Sequence, residues 1–215
     1  MEKVNMDILS LAFISLTYLI GSISFGFLIG KFVKGIDIRE VGSGSTGATN
    51  VTRTCGLYWG IIALILDIGK AAIPLFIAIQ LEMPIWTHPI IGLSSILGHI
   101  WPIFNNFKGC KGIASGWAAL MVLSPICGIL CLIISVPIIA ITRFVSLGSI
   151  IGSIIGGIIL TIMSIYEYNP ISFINPLEPI YSIFGIIGAS ITIILHRKNI
   201  TRLLNGQERK FGERA

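Results

Sequence analysis

Residues 113–141 read IASGWAALMVLSPICGILCLIISVPIIAI, an apolar run interrupted by Ser124-Pro125 and again by Pro137. How this run is divided decides the fold. As one crossing it would belong to a bundle of six helices, and the most basic segment of the chain, the tail from His196, would emerge on the outer side. That contradicts the excess of Lys and Arg expected in inner loops. Divided at Pro125, the run becomes a short helical hairpin whose halves are each roughly 18 to 25 Å long at ~1.5 Å per residue. Every loop then takes the side its charge requires. Residues 31–56, 103–112 and the tail are basic, whereas 81–87 and 166–179 contain no Lys or Arg.

Working outward from the hairpin, the sequence predicts an all-α, polytopic integral membrane protein of seven helices, with the N-terminus outside and the C-terminus cytosolic. The helices fall at 8–30, 57–80, 88–101, 113–124, 125–141, 146–165 and 180–195, in one domain covering 1–215. Of the 215 residues, 54% are hydrophobic and 12% charged, where a soluble domain carries roughly 25% charged residues. The first apolar segment is too long for the core of a signal peptide and lacks a small-residue cleavage pattern, so it stays as a membrane helix. Cys55, Cys110, Cys127 and Cys131 form no CxxC pair and read as reduced and non-metal. The net charge of +5 resides mainly in loops and tail, and no aromatic-studded basic patch suggests nucleic acid.

With this topology three unusual polar stretches converge on the cytosolic face. The first is Gly42-Ser43-Gly44-Ser45-Thr46-Gly47-Ala48-Thr49-Asn50-Val51-Thr52-Arg53. Its glycines let the backbone curl so that N–H groups point inward, its hydroxyls add donors, and Arg53 adds a forked cation, which together suit an anion. The second, Gly98-His99 to Gly112, sets Lys108 and Lys111 around Gly109-Cys110, where small residues admit a phosphate to the backbone. In the third, His196, Asn199 and Arg202 recur at i, i+3 and i+6 and share one helical face. The bland alternatives are a flexible connector for the first stretch and a snorkelling headgroup anchor for the tail. The anchor reading suits Arg209, Lys210 and Arg214. Asp67 and Lys70, three apart within a span, read as an ion pair that supports the site.

Acid-base machinery of the usual kinds is missing. The chain has no G-x-S-x-G elbow, no H-E-x-x-H and no acidic cluster for a hard metal. None of His88, His99 and His196 is followed five positions on by Asp. A reaction here needs a substrate that is already activated, with anion clamps and positioning supplying the rest. The competing reading is a transporter of a small phosphorylated metabolite, with the basic loops as its vestibule. It has to explain the lack of an inverted repeat and the clustering of polar motifs on one face.

These three stretches resemble the motifs of the bacterial acyl-phosphate:glycerol-3-phosphate acyltransferases, the PlsY type. The family's G-S-G-N-x-G-A-T-N-x-x-R is similar to Gly42–Arg53, with Ser45 for Asn. Its G-H-x-F-P-x-F-x-x-F-K-G-G-K-G is similar to Gly98–Gly112, with Trp101 for Phe and Cys110 for the middle Gly. Its H-R-x-N-I-x-R-L-x-x-G-x-E-x-K is matched from His196 to Lys210. The resemblance covers essentially the whole chain. It implies transfer of a fatty acyl group from acyl phosphate to the 1-hydroxyl of glycerol 3-phosphate, giving 1-acylglycerol 3-phosphate and phosphate. No metal, cofactor or covalent acyl-enzyme is implied. His196, Asn199, Lys108 and Arg53 become the candidate catalytic residues. Ser43, Gly44, Thr49, Asn50, Arg53, His99, Lys108, Gly109, Lys111, His196, Asn199 and Arg202 become the candidate phosphate-binding set. The expected setting is a monomer in the bacterial inner membrane with its site on the cytosolic face and an apolar groove toward the bilayer.

Overall fold

The computed structural model describes residues 2–170 and 176–213, with backbone only for 2–5. Residues 171–175 of the basic-free loop and Arg214 of the tail lie outside them. Ten α-helices follow in order: α1 Glu2–Gly21, α2 Phe25–Lys34, α3 Ala48–Cys55, α4 Leu57–Gln80, α5 Thr87–Ile100, α6 Ile113–Leu123, α7 Pro125–Thr142, α8 Val145–Ile165, α9 Ser182–Leu195 and α10 Arg197–Leu204. No strand occurs among the described residues.

The segment drawn from sequence as one helix over 8–30 is broken at residues 22–24. The cause is close packing of α1 on α5. A Cβ at Gly21 would lie 2.6 Å from the Ser95 carbonyl oxygen, and one at Gly98 would run into that of Tyr18. Ser22 hydroxyl turns back to the Tyr18 carbonyl at 2.9 Å. The break frees the Ile23 carbonyl, which an apolar interior cannot leave unpaired, and Lys70 of α4 donates to it at 2.8 Å. Lys70 in turn is paired with Asp67 at 2.8 Å, both side chains being 2% exposed. The two intramembrane charges therefore stabilise a helix break that hydropathy alone does not reveal.

At Ser124-Pro125 the chain turns from α6 into α7, with Pro125 in the first turn, where its missing N–H costs nothing. Trp117 of α6 donates through Nε1 to the Gly128 carbonyl of α7 at 3.0 Å, which locks the pair together. Helices α8 and α9 meet glycine to glycine, since a Cβ on Gly157 or Gly185 would lie 2.6 Å from the other's carbonyl oxygen. By length and hydropathy, Met6–Lys34, Leu57–Gln80, Pro125–Thr142 and Val145–Ile165 are able to span a membrane. Pro179–Leu195 and Arg197–Leu204, which meet at a bend of 57°, pass the same test only when taken together, and counted as one span they bring the total among the described residues to five. Helices α5 and α6 are shorter, at 14 and 11 residues.

The main core, including Leu75, Ile91, Leu123, Leu160, Leu177 and Tyr181, ties α4 through α9 together. It is sealed by a 2.7 Å hydrogen bond between His88 Nδ1 and the Tyr181 hydroxyl. A second, smaller core of Ile29, Ile38, Val51 and Ala63 fixes α2, α3 and the loop between them against α4. This satellite core holds the first glycine-rich stretch rigidly against the bundle.

Candidate functional site

The first stretch is built around Asn50, which is 1% exposed. Its amide oxygen accepts from Ser43 N–H at 2.9 Å. Its amide nitrogen donates to the carbonyls of Ile38 (2.9 Å), Val41 (3.1 Å) and Ser45 (2.9 Å). One short side chain thus takes the place of backbone pairing for the whole turn. Gly42 and Gly44 adopt φ of 61° and 71°, left-handed values that suit glycine.

Arg39 ties this loop to the second. Its guanidinium is paired with Asp37 at 2.6 Å, holding that carboxyl down at about 2, and Nη1 donates to the Asn105 carbonyl at 3.1 Å. In the second loop Gly109 and Cys110 N–H groups return to the carbonyls of Ile100 and His99, each at 3.2 Å. A Cβ on Gly109 would collide with the His99 carbonyl, so glycine is required there. The left-handed positions of this loop are Asn106, Phe107 and Gly112, and Cys110 is not one of them. Cysteine therefore fits its backbone without strain. Its sulfur occupies the room where a Cβ on Gly47 would sit.

The third stretch joins the other two through a line of hydrogen bonds. Lys111 Nζ donates to Asn199 Oδ1 at 2.7 Å, and Asn199 Nδ2 donates to Glu208 Oε1 at 2.7 Å. Glu208 also accepts from Ser146 hydroxyl at 2.7 Å and from Arg202 Nε at 2.7 Å. Burial would raise the Glu208 carboxyl, but these donors outweigh it and hold the group below the usual range. Burial pushes the Lys111 ammonium down from its ordinary value. His196, 2% exposed, has Nδ1 at 2.9 Å from the Thr192 carbonyl. A carbonyl only accepts, so Nδ1 carries the hydrogen and Nε2 is left with its lone pair. Burial, with the Lys111 charge nearby, lowers its pKa to about 4. Arg209 Nη1 closes the arrangement on the Gly42 carbonyl at 2.9 Å.

These elements surround a cavity of about 870 Å³. Of the residues singled out from sequence, Ser43, Thr49, Arg53, His99, Lys111, His196, Asn199 and Arg202 line it. Gly44, Asn50, Lys108 and Gly109 are not among its lining residues. Asn50 and Gly109 shape the loops from within, and the Lys108 side chain is exposed. Away from the cations the cavity continues along apolar surfaces of α6, α7, α8 and α9, including Leu120, Leu132, Val136 and Phe184. Asp67, Glu208 and Arg209 also line it and were not among the candidate residues. Spacing hinted at Asp67 as a buried charge. For Arg209, assigned above to a headgroup anchor, no local signal distinguished a contact with Gly42 from a solvated tail.

Comparison with known proteins gives a consistent result. A family model described as glycerol-3-phosphate acyltransferase matches residues 11–206. A glycerol-3-phosphate acyltransferase of Desulforamulus reducens is 40% identical over 92% of this chain and 92% of its own. One from Aquifex aeolicus is 37% identical over 90% and 95%, respectively. The crystal structure of PlsY, an integral membrane glycerol 3-phosphate acyltransferase, in its glycerol 3-phosphate form superposes with a TM-score of 0.84 at 36% identity, covering 94% of this chain and 96% of that one. Its lysophosphatidic acid form superposes with a TM-score of 0.82 at 35% identity, covering 94% and 95%.

Proposed function

The chain belongs to the glycerol-3-phosphate acyltransferases of the PlsY type, and from that premise we propose that its acyl donor is an acyl phosphate and its product 1-acylglycerol 3-phosphate. The 1-hydroxyl oxygen of glycerol 3-phosphate attacks the acyl carbonyl carbon. The bond from that carbon to the phosphate oxygen then breaks, and inorganic phosphate leaves with the transferred proton. A mixed anhydride is already activated, so the protein has to hold two anions together, exclude water and stabilise the developing oxyanion.

One observation carries this reading. A single cavity joins Arg53, Lys111, His196, Asn199 and Arg202 at one end to the apolar walls of α6–α9 at the other, matching a donor with an anionic head and a fatty tail. Arg53, Lys111 and Arg202 supply charge for the phosphates, Ser43 and Thr49 supply hydroxyl donors, and Asn199 orients Lys111. Lys108, exposed beside this end, attracts the anions as they approach. The leaving phosphate is the natural proton acceptor, because the two carboxylates that line the cavity are engaged: Glu208 accepts from three donors and Asp67 is paired with Lys70. His196, neutral and with Nε2 available, is the protein-side competitor.

The same reading places the chain as seven helices in the bacterial inner membrane, with the loops of the site and the C-terminus cytosolic. The acyl chain is drawn from the bilayer and no cofactor is needed. The deciding experiment is phosphate release by the purified protein in lipid, given a long-chain acyl phosphate with and without glycerol 3-phosphate, beside Arg53→Ala. Release that needs both substrates and collapses in the variant supports the proposal. Glycerol 3-phosphate acylation from another activated donor, with acyl phosphate inert, refutes it.

A further inference from the structure

The apolar end of the cavity has a floor. Its last lining residues are Leu120 on α6, Cys131 on α7, Gly157 on α8 and Phe184 on α9; among the described residues these helices line nothing deeper. Leu120, Cys131 and Phe184 also belong to the main core, so the cavity stops where close packing begins. Leu120 and Cys131 meet over Gly156, where a Cβ would lie 3.0 Å from Leu120 Cδ2 and 3.4 Å from Cys131 Cβ. Phe184 is backed by α5, since a Cβ on Gly92 would lie 2.9 Å from its ring. The depth follows from helix rise. Phe184 and Leu195 stand eleven residues apart on α9, which at ~1.5 Å each is about 16 Å along the axis. Ser146 and Gly157 give the same interval on α8. That is roughly half of the ~30 Å hydrocarbon layer, the depth of one leaflet of acyl chains.

The wall formed by α9 carries a second, independent sign. Phe184, Gly188, Thr192 and His196 recur every fourth residue, share one face and all line the cavity. Glycine inside a helix is destabilising relative to alanine. At Gly157 and Gly185 helix contact demands it, because a Cβ on either would lie 2.6 Å from the other's carbonyl oxygen. At Gly188 no protein atom lies within 4 Å of such a Cβ. Packing makes no demand there, and the open space beside it belongs to the cavity. We propose that Gly188 and the floor of Leu120, Cys131 and Phe184 set the acyl-chain length this protein accepts, the glycine keeping the groove open at mid-depth and the floor stopping the terminal methyl. The inference rests on the reading of this cavity as the site of an acyl phosphate whose head lies at the Arg53 and Lys111 end. A chain as long as one leaflet fills the groove. Each further methylene has to buckle or turn out of it, and each one denied burial costs roughly fourfold in affinity.

The test is phosphate release by the full chain in lipid from octanoyl, lauroyl, palmitoyl and arachidoyl phosphates at saturating glycerol 3-phosphate. Ratios of kcat/KM between donors are compared between variant and wild type, so that each donor's partitioning into the membrane cancels. Gly188→Leu fills the groove seven residues above Leu195 on α9, leaving about 10 Å of depth at ~1.5 Å per residue. Its palmitoyl-to-octanoyl ratio should fall at least about tenfold below that of the wild type, the loss expected when about two methylenes are kept from burial. Phe184→Ala lowers the floor and should raise the arachidoyl-to-palmitoyl ratio roughly fourfold or more. If Phe184→Ala is too unstable to assay, Gly188→Leu decides alone, because its new side chain starts in open space. A chain-length profile of Gly188→Leu parallel to that of the wild type overturns the proposal and means that the chain turns sideways into the bilayer before mid-depth. An unchanged arachidoyl-to-palmitoyl ratio in a folded Phe184→Ala overturns the floor. A wild type that releases phosphate from none of the four donors yet acylates glycerol 3-phosphate from another activated donor overturns the functional reading itself, a result distinct from these.

Discussion

The Lys111 ammonium donates to the Asn199 amide oxygen at 2.7 Å, joining the second loop to the last helix across 88 residues of chain. Which way the amide points is settled by Glu208, an acceptor only, which takes the amide N–H at 2.7 Å. A carboxylate already engaged by Ser146, Asn199 and Arg202 thereby decides whether Lys111 meets an acceptor.

Glu208→Gln should therefore weaken glycerol 3-phosphate binding by loosening the hold on Asn199 and, through it, on Lys111. A glutamine offers one acceptor oxygen and one donor nitrogen, so it cannot satisfy Ser146, Asn199 and Arg202 together. Losing a charge-assisted bond of about 1.5–3 kcal/mol corresponds to a roughly ten- to hundredfold drop in kcat/KM. Steady-state kinetics should place most of the loss in KM. Ser146→Ala, which removes one neutral donor, should cost far less.

The two lysines of the second loop should separate. Lys111 is tied into the network and lines the cavity, whereas Lys108 is exposed. Lys111→Ala is expected to reduce kcat/KM by at least about a hundredfold, by leaving Asn199 Oδ1 without its donor and removing a charge from the site. Lys108→Ala should cost about tenfold or less, and its defect should shrink as salt screens long-range attraction. Equal losses at all ionic strengths would show that Lys108 touches substrate directly.

Gly47 and Cys110 form a complementary pair. A Cβ on Gly47 would overlap the Cys110 sulfur, so Gly47→Ala should push the two anion loops apart and lower activity by roughly tenfold or more, overpacking costing about 1–3 kcal/mol. Cys110→Gly should be nearly neutral alone and should restore most of the activity of Gly47→Ala. A double-mutant cycle in kcat/KM measures this directly, and strict additivity would disprove the contact.

Much of this architecture was legible in the sequence, because hydropathy reports burial in lipid and because the motifs carry their own chemistry. The turn at Ser124-Pro125 could be read from charge on distant loops and from the one residue that starts a helix without an N–H. The break at residues 22–24 could not. Ile20, Ile23 and Phe25 look continuous, and only tertiary packing of Gly21 on Ser95, with Lys70 taking the Ile23 carbonyl, makes the interruption affordable. Within the site, residue type identified which positions mattered but not their tasks. Asn50 reads like a phosphate donor, yet its amide is spent on four backbone groups of its own loop. Lys108 and Lys111 are equivalent as letters, and only the fold distinguishes them.

His196 offers the sharpest pH test. Its folded pKa of about 4 lies below its ordinary 6.5, so the folded protein binds fewer protons than the unfolded chain between those values. The resulting stability is fully present above pH 6.5 and is lost as pH falls toward 4, by up to about 3 kcal/mol. Heat stability in detergent should therefore decline over that interval in the wild type and decline less in His196→Gln. Above pH 6.5 the ring is neutral throughout, so protonation of His196 places no acid limb on kcat between pH 6.5 and 8.5. If the leaving phosphate takes the proton, His196→Gln should retain measurable turnover with that same flat profile, the glutamine replacing a polar contact at the site. If His196 is the base, the variant should lose about a hundredfold or more in kcat at every pH while glycerol 3-phosphate still binds, a loss on the scale of general base catalysis. An acid limb near pH 6.5 in the wild type that vanishes in the variant would contradict both, and would mean that the ring is far less buried during turnover than in the resting structure.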